Sequence, residues 1–542
     1  MPESYAGKIN RKLLKKQRII AAAAGREPAD LVLKNATFVN VFSNELSTMD
    51  IAVAEGLIVG MGSYQGRSEV DCTGKIVLPG FLDAHIHLES SLVSPTEFVK
   101  AVLPHGTTTV VTDPHEIANV MGTDGIEYML QATEDLPVDV RFMLPSCVPA
   151  TPLDESGAIL DYRAIDSFYD HPRVQGLAEM MNFVGAINGD EQTVEKIVAA
   201  QAHHKKIDGH APDLQGNDLN AYIAAGVYSD HECHDLKDAL AKLERGQYIM
   251  IREGTAARNL DALMPLLSSQ YADRCMFCTD DKHPNDLLEK GHIDYIVKKA
   301  ISLGADPIVA VKAACHNAAR YFLLNNRGAI APGYLGDFVI IDDFQHFEIE
   351  MVYKRGVLMY DGQLRDFPAP EIDPYLVKRA HDTFHVAHLT AEDFSDGRPH
   401  AVIGMIPEGL YLLTSVALAV SMVRLAQRKV LAQDMNCIET LARVDVLCVH
   451  KTGTITEARM EAGEPLLLTP DAWPQDRVYT VLHSIYAGTE PDNDTARAMV
   501  QRFGKQNGTP WPRQSVVPFN SAYKWSAATF AEGSFVVGAP EF

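Results

Sequence analysis

The sequence predicts an α/β protein built on a (β/α)8 barrel that is inserted in a small β-sandwich. Three observations carry this prediction. Residues 79–325 alternate short apolar, strand-like runs with helix-like segments, over the length such a barrel needs. Two β-rich pieces, 29–78 and 326–367, flank that stretch. Ionisable residues recur where the strand-like runs end, which is where barrels carry their chemistry.

At 542 residues the chain predicts several domains and an ample core. A net charge of −23 excludes nonspecific nucleic-acid binding, so no nucleic-acid partner is expected. The eight cysteines are scattered, which is no disulfide framework and fits a reducing compartment. Cys275-Met276-Phe277-Cys278 lies in an apolar run and reads as strand rather than as a redox or zinc motif.

Residues 1–28 carry a basic run, Lys8, Arg11, Lys12, Lys15, Lys16 and Arg18, before the apolar stretch Ile19–Ala24. That stretch is too short for a signal peptide, so the segment reads as a solvated amphipathic helix. Strands are expected at Asp30–Ala36, Asp50–Val53 and Leu57–Gly60, and again at Gly336–Asp342 and Met351–Lys354, with turn residues between them. In the barrel, Phe81–His85 has strand character and leads into His85-Ile86-His87. Side chains alternate along a strand, so the two imidazoles share a side about 7 Å apart and can grip one metal ion.

Further strand-like runs end in chemistry-bearing residues. Thr107–Thr112 ends in Asp113-Pro114-His115-Glu116, and Val174–Ala178 ends in Glu179. Lys206–Gly209 ends in His210, Val227–Asp230 in His231-Glu232, and Arg274–Thr279 in Asp280-Asp281. His85, His87, Glu179, His210, His231 and Asp280 together offer four imidazoles and two carboxylates. That set suffices for two divalent ions with one carboxylate between them. A metal-activated hydroxide would be the nucleophile, with Asp280 placed to take and return its proton and Glu232 as a second candidate catalytic group. Glu89, Ser90, Ser91, Asp113, Glu116 and Asp281 are candidate substrate contacts; helix capping and loop hydrogen bonding are the alternative use of such residues.

These stretches, with Pro79–Ser91 and Gly176–Met181, resemble the amidohydrolase superfamily and within it the adenine deaminase family. The resemblance covers residues 29 to about 400. Glu179 stands where many amidohydrolases carry a carbamylated lysine, as in adenine deaminases. The resemblance implies hydrolysis of adenine to hypoxanthine and ammonia with two divalent metal ions, manganese or iron. It also implies a cytoplasmic homo-oligomer. A different metal-dependent amidohydrolase, acting on another purine or a cyclic amide, is the alternative. Residues 368–400 would begin a C-terminal domain cut short.

The composition changes after His400. Residues 401–425 are apolar apart from Glu408 and Arg424, and long enough to span a bilayer, so membrane association through them is expected. Val446–Thr456 and Ile406–Leu410 resemble P-type cation-transporting ATPases, as do Val517–Ser526 and Gly538–Glu541. In that resemblance residues 426–542 form a partial phosphorylation and nucleotide-binding region, with Phe519 and Lys524 at the nucleotide. His450 stands at the position of the phosphorylated aspartate. An imidazole cannot replace a carboxylate that also helps hold magnesium, so no ATPase or transport activity is expected. Gly404-Met405-Ile406-Pro407 suits either family, so the chain reads as a fusion, with an inactive chimera as one outcome.

Overall fold

The computed structural model describes residues 5–150, 154–383, 462–469, 471–491, 494–505, 508–520 and 525–538. The chain divides into two units, Met1–Ala419 and Val420–Phe542.

The first unit is dominated by eight parallel strands: β6 (Phe81–Ile86), β7 (Thr107–Thr112), β8 (Asp139–Leu144), β9 (Val174–Met180), β10 (Lys206–Gly209), β11 (Ser229–Asp230), β12 (Tyr248–Arg252) and β13 (Cys275–Cys278). Strands β6 and β7 are buried at every residue, as expected of parallel strands covered on both faces. The ladders run β6 to β10 and β11 to β13. Hydrogen bonds join them into a ring, among them Tyr228 N–H to Ile207 O at 3.4 Å and Asp280 N–H to His85 O at 2.9 Å. Leu82, Ala84, Val111, Met143, Ala178, Met250, Met276 and Cys278 fill the lumen as one apolar cluster. Cys275 and Cys278 are therefore packing residues, buried and unbridged; burial pushes the Cys275 thiol up to about 12.

Both flanks of the barrel contribute to one continuous sheet. It contains β1 (Ala29–Asn40), β2 (Glu45–Ala54), β3 (Leu57–Gly62), β4 (Gly66–Asp71) and β5 (Ile76–Pro79) from one side. From the other side come β14 (Phe338–Ile341), β15 (Ile349–Lys354) and β16 (Val357–Tyr360). The flanks meet where β5 pairs antiparallel with β14, Pro79 opposite Phe338. β1 is longer than its apolar run predicts. The strand expected to end at Ala36 runs on to Asn40, with a register shift between Leu33 and Ala36 where Asn35 adopts φ +54°. The helix Tyr5–Ala23 packs Ala22 against Ala29, Val32 and Ala52.

A buried ion network ties barrel to sheet at the N-terminal ends of the strands. The Lys354 ammonium donates to Asp139 Oδ2, Asp337 Oδ2 and Thr108 O, each at 2.8 Å. Arg327 and Arg355 complete the shell of Asp139 at 2.9 and 2.7 Å. Burial pushes the Asp139 carboxyl up, but the three cations outweigh it and hold it well below the usual range. A depressed carboxyl stabilises the fold above its unfolded value, about 3.9, and loses that contribution as pH falls. Asp139→Asn is therefore expected to cost about 3 kcal/mol at pH 7. The gap to the parent should narrow by about 1.4 kcal/mol per pH unit below about 4. Urea unfolding at pH 7 and pH 3 checks this; a gap independent of pH would rule out the charge origin.

The second unit contains helices Gln475–Tyr486 and Asp494–Phe503 and a meander, β17 (Ser515–Asn520), β18 (Trp525–Phe530) and β19 (Gly533–Gly538). His483 is buried between them, one ring nitrogen 2.7 Å from Phe503 O. Phe519 lies on β17 and is 43% exposed. His450, Lys524 and the 401–425 segment lie outside the described residues. No helix among the described residues is long and apolar enough to cross a membrane.

Candidate metal centre

The C-terminal ends of the barrel strands converge on one buried mouth. Asp83, fully buried on β6, accepts from His85 N–H at 3.2 Å, from Thr279 N–H at 3.1 Å and from the Thr279 hydroxyl at 2.5 Å. This staples the His85 end of β6 to the residue before Asp280. Pairing of β6 with β7 shifts register between Asp83 and Ile86, a bulge of the kind that re-aims side chains beside a site. Asp280 adopts φ +58°, a left-handed conformation that aspartate tolerates better than most residues.

Two donor sets result. In the first, His85 Nε2 and His87 Nε2 lie 3.2 Å apart, with Asp280 Oδ1 3.6 and 3.2 Å from them. Glu179 Oε1 is 3.9 Å from His85 Nε2 and 3.3 Å from His87 Nε2. Ligand bonds of about 2.0–2.2 Å set donors roughly 3.4 Å apart, a spacing these pairs approach, and His231 joins His85 and Asp280 in one group of metal-type donors. In the second set the other oxygen of Glu179, Oε2, lies 2.6 Å from His210 Nδ1 and 3.1 Å from His231 Nε2. Three donors leave a side open, as in catalytic sites. The buried Glu179 carboxylate thus faces both sets, one oxygen each. The residues fit two divalent ions.

Two groups at the mouth went unremarked in the sequence as site residues. Arg252 ends β12 and donates to Asp280 Oδ2 at 2.7 Å and to Glu232 Oε2 at 2.9 Å. Burial raises the Asp280 carboxyl, yet Arg252, His85 and His87 hold it well below the carboxylate range. Glu232 is likewise held low against burial by His210, His231 and Arg252, and its Oε1 lies 3.3 Å from His231 Nε2. His115 is the second. Its Nδ1 is 2.8 Å from Asp113 Oδ2 and 3.7 Å from Glu179 Oε1, and it joins His87, Asp113 and Glu179 in one group of metal-type donors. The Asp-Pro-His-Glu ending signalled it, but its flanking acids drew the assignment.

The candidate substrate contacts separate by surroundings. The carboxyls of Asp113, Glu116 and Glu89 each keep one buried oxygen without a hydrogen-bond partner among the described residues. Burial, with Glu116 nearby, pushes the Glu89 carboxyl up to about 8. Asp281 Oδ1 accepts from the Ser90 hydroxyl at 2.5 Å, and burial beside Asp280 raises its carboxyl. The Ser91 hydroxyl instead donates to Leu88 O at 2.6 Å, inside the turn Leu88–Ser91.

Residues 76–359 match the amidohydrolase family. The chain belongs to this family. The match takes in all eight barrel strands and both donor sets of this amidohydrolase. It is 49% identical over 384 residues to an adenine deaminase of Kosmotoga olearia, covering 69% of this chain and 65% of that one. It is 51% identical over 346 residues to an adenine deaminase of Desulfatibacillum aliphaticivorans, covering 64% of this chain and 61% of that one. It is 45% identical over 392 residues to adenine deaminase 2 of Carboxydothermus hydrogenoformans, covering 72% and 68%. The amidohydrolase thus spans about two thirds of the length of these curated relatives.

Proposed function

We propose that this chain is an adenine deaminase: water adds at C6 of adenine, the bond to the exocyclic nitrogen breaks, and hypoxanthine and ammonia leave. The observation that carries the reading is Glu179, a buried carboxylate with one oxygen toward His87 and the other toward His210 and His231. Curated relatives at 45–51% identity, named adenine deaminase, support the substrate. His85, His87, Glu179 and Asp280 would hold one divalent ion, and Glu179, His210 and His231 the other; manganese or iron is the proposed metal. Bound there, the ions supply Lewis acidity toward water and substrate. Asp280 takes the proton from the attacking water at Oδ1, while Arg252 on Oδ2 fixes the carboxylate in place. Asp280 then returns that proton to the departing amine, and Glu232, within reach of the same mouth, relays the other water proton to the ring nitrogen N1. The unpartnered oxygens of Glu89, Asp113 and Glu116 accept from the purine N–H groups, with Ser90 and Asp281 beside them.

The remaining proposals concern assembly and the C-terminal unit. The deaminase part is read as a cytoplasmic homo-oligomer, with 401–425 as its route to a membrane surface. The C-terminal unit is read as a P-type-ATPase-like segment without catalysis, because histidine stands at position 450.

Full-length protein reconstituted with Mn2+ and given adenine tests the main reading. Ammonia release with the ultraviolet change of adenine to hypoxanthine is expected, and His85→Ala should lower kcat/KM at least about 100-fold. Turnover of a cyclic amide without turnover of adenine would sink the assignment, and unchanged activity in His85→Ala would sink the site.

A further inference from the structure

We infer that Lys242 is a positioning residue, a buried ammonium that fixes the loops carrying His210 and His231 and so sets the metal affinity of the second donor set. The inference rests on the two-metal reading of the site.

Lys242 lies on the helix Leu236–Leu243 and is 0% exposed. Its Nζ donates to Ala211 O at 2.7 Å, Asp230 Oδ2 at 2.8 Å and Asp238 Oδ2 at 2.9 Å, with Cys233 Sγ at 3.6 Å. Asp230, Cys233 and Asp238 make a buried group of metal-type donors outside the mouth, and the lysine cation already sits among them. The partners are placed with a pattern. Ala211 follows His210, and Asp230 precedes His231. Asp230 Oδ1 also accepts from Ala211 N–H at 2.8 Å, and its Oδ2 from Glu232 N–H at 3.1 Å. One carboxylate and one ammonium therefore hold the backbone on both sides of the second donor set.

The ladder alone cannot do this. β11 is two residues long, Ser229–Asp230, so few backbone bonds locate His231. A buried lysine is expensive to desolvate, and removing a charged partner leaves Asp230 and Asp238 uncompensated. Lys242 makes no bond to the elements that hold His85 and His87, which ride on the longer β6 and are braced instead by Asp83, itself 3.0 Å from His292 Nε2. The two donor sets should respond differently to loss of Lys242. Groups that orient metal ligands are worth about 10- to 100-fold in metal affinity.

The test is Mn2+ binding to metal-depleted full-length protein by equilibrium dialysis, for the parent, Lys242→Met, Asp238→Asn and Lys354→Met. Lys242→Met should keep one Mn2+ at parent affinity and bind the other about 10- to 100-fold more weakly. Asp238→Asn, which retains the ammonium and loses one anchor, should shift the same ion in the same direction by less. Lys354→Met removes a lysine of similar burial at the opposite end of the strands; it should lower the melting midpoint and keep both ions at parent affinity. Two ions at parent affinity in Lys242→Met, or equal weakening of both, would overturn the inference. If Lys242→Met does not fold, parent affinity at both sites in Asp238→Asn overturns it. Fewer than two ions in the parent would instead overturn the two-metal reading.

Discussion

Glu179→Gln is expected to abolish turnover while leaving the barrel folded. The substitution keeps shape and volume at a buried strand end, so the packing of β9 is undisturbed. It replaces one ligand oxygen with an amide NH2, which donates where a metal needs a lone pair, and it removes the charge both ions would share. Either amide orientation fails one set, since Oε1 faces His87 and Oε2 faces His210 and His231. The loss should be about 1,000-fold or more in kcat/KM, on the order of 4 kcal/mol of transition-state stabilisation. Steady-state kinetics on adenine, beside circular dichroism and a thermal melt, measure it. Activity within tenfold of the parent would remove Glu179 from the centre.

Arg252→Met should damage stability and turnover together. The guanidinium is the fixed cation between the buried Asp280 and the partly buried Glu232, two carboxylates of the same mouth. Without it both carboxylates face only imidazoles, and breaking a buried pair in this way costs about 3–5 kcal/mol. Divalent ions bring positive charge to the same carboxylates. The destabilisation should therefore be larger in chelator than in saturating Mn2+, by a margin that urea melts in the two conditions resolve. Turnover should fall about 100-fold, because Asp280 loses the partner that orients its proton-accepting oxygen. Equal destabilisation with and without metal would show that the arginine acts only on packing.

Much of the mouth was legible because its signals are local. An apolar run of strand length followed by His, Glu or Asp marks a strand end, and five such endings lie in one segment. The geometry within the mouth was less so. His210 approaches Glu179 through Nδ1 whereas His231 does so through Nε2, a choice set by loop backbone rather than residue type. Arg252 ends its strand as many surface arginines do, and only closure of the ring brings Glu232 and Asp280 to it. Ser91 illustrates the alternative use of such residues: within the four-residue turn Leu88–Ser91 its hydroxyl donates to Leu88 O. Lys242 was invisible because nothing in a helical lysine predicts that the aspartate four residues before it and the aspartate at a strand end enclose it together.

The pairing of β5 with β14 bears on the order in which the chain folds. Ile76–Pro79 and Phe338–Ile341 lie on either side of the whole barrel sequence. Closing a flexible loop of several hundred residues costs on the order of 5 kcal/mol, more than the few bonds between two four-residue strands return. Once the barrel is built, β6, which follows β5 directly, and the helices that pack on β6 and β13 before β14 bring those segments close, and most of the entropy is already spent. The β5–β14 pairing is thus expected to form late, a seam that joins two locally paired pieces of sheet over a finished barrel.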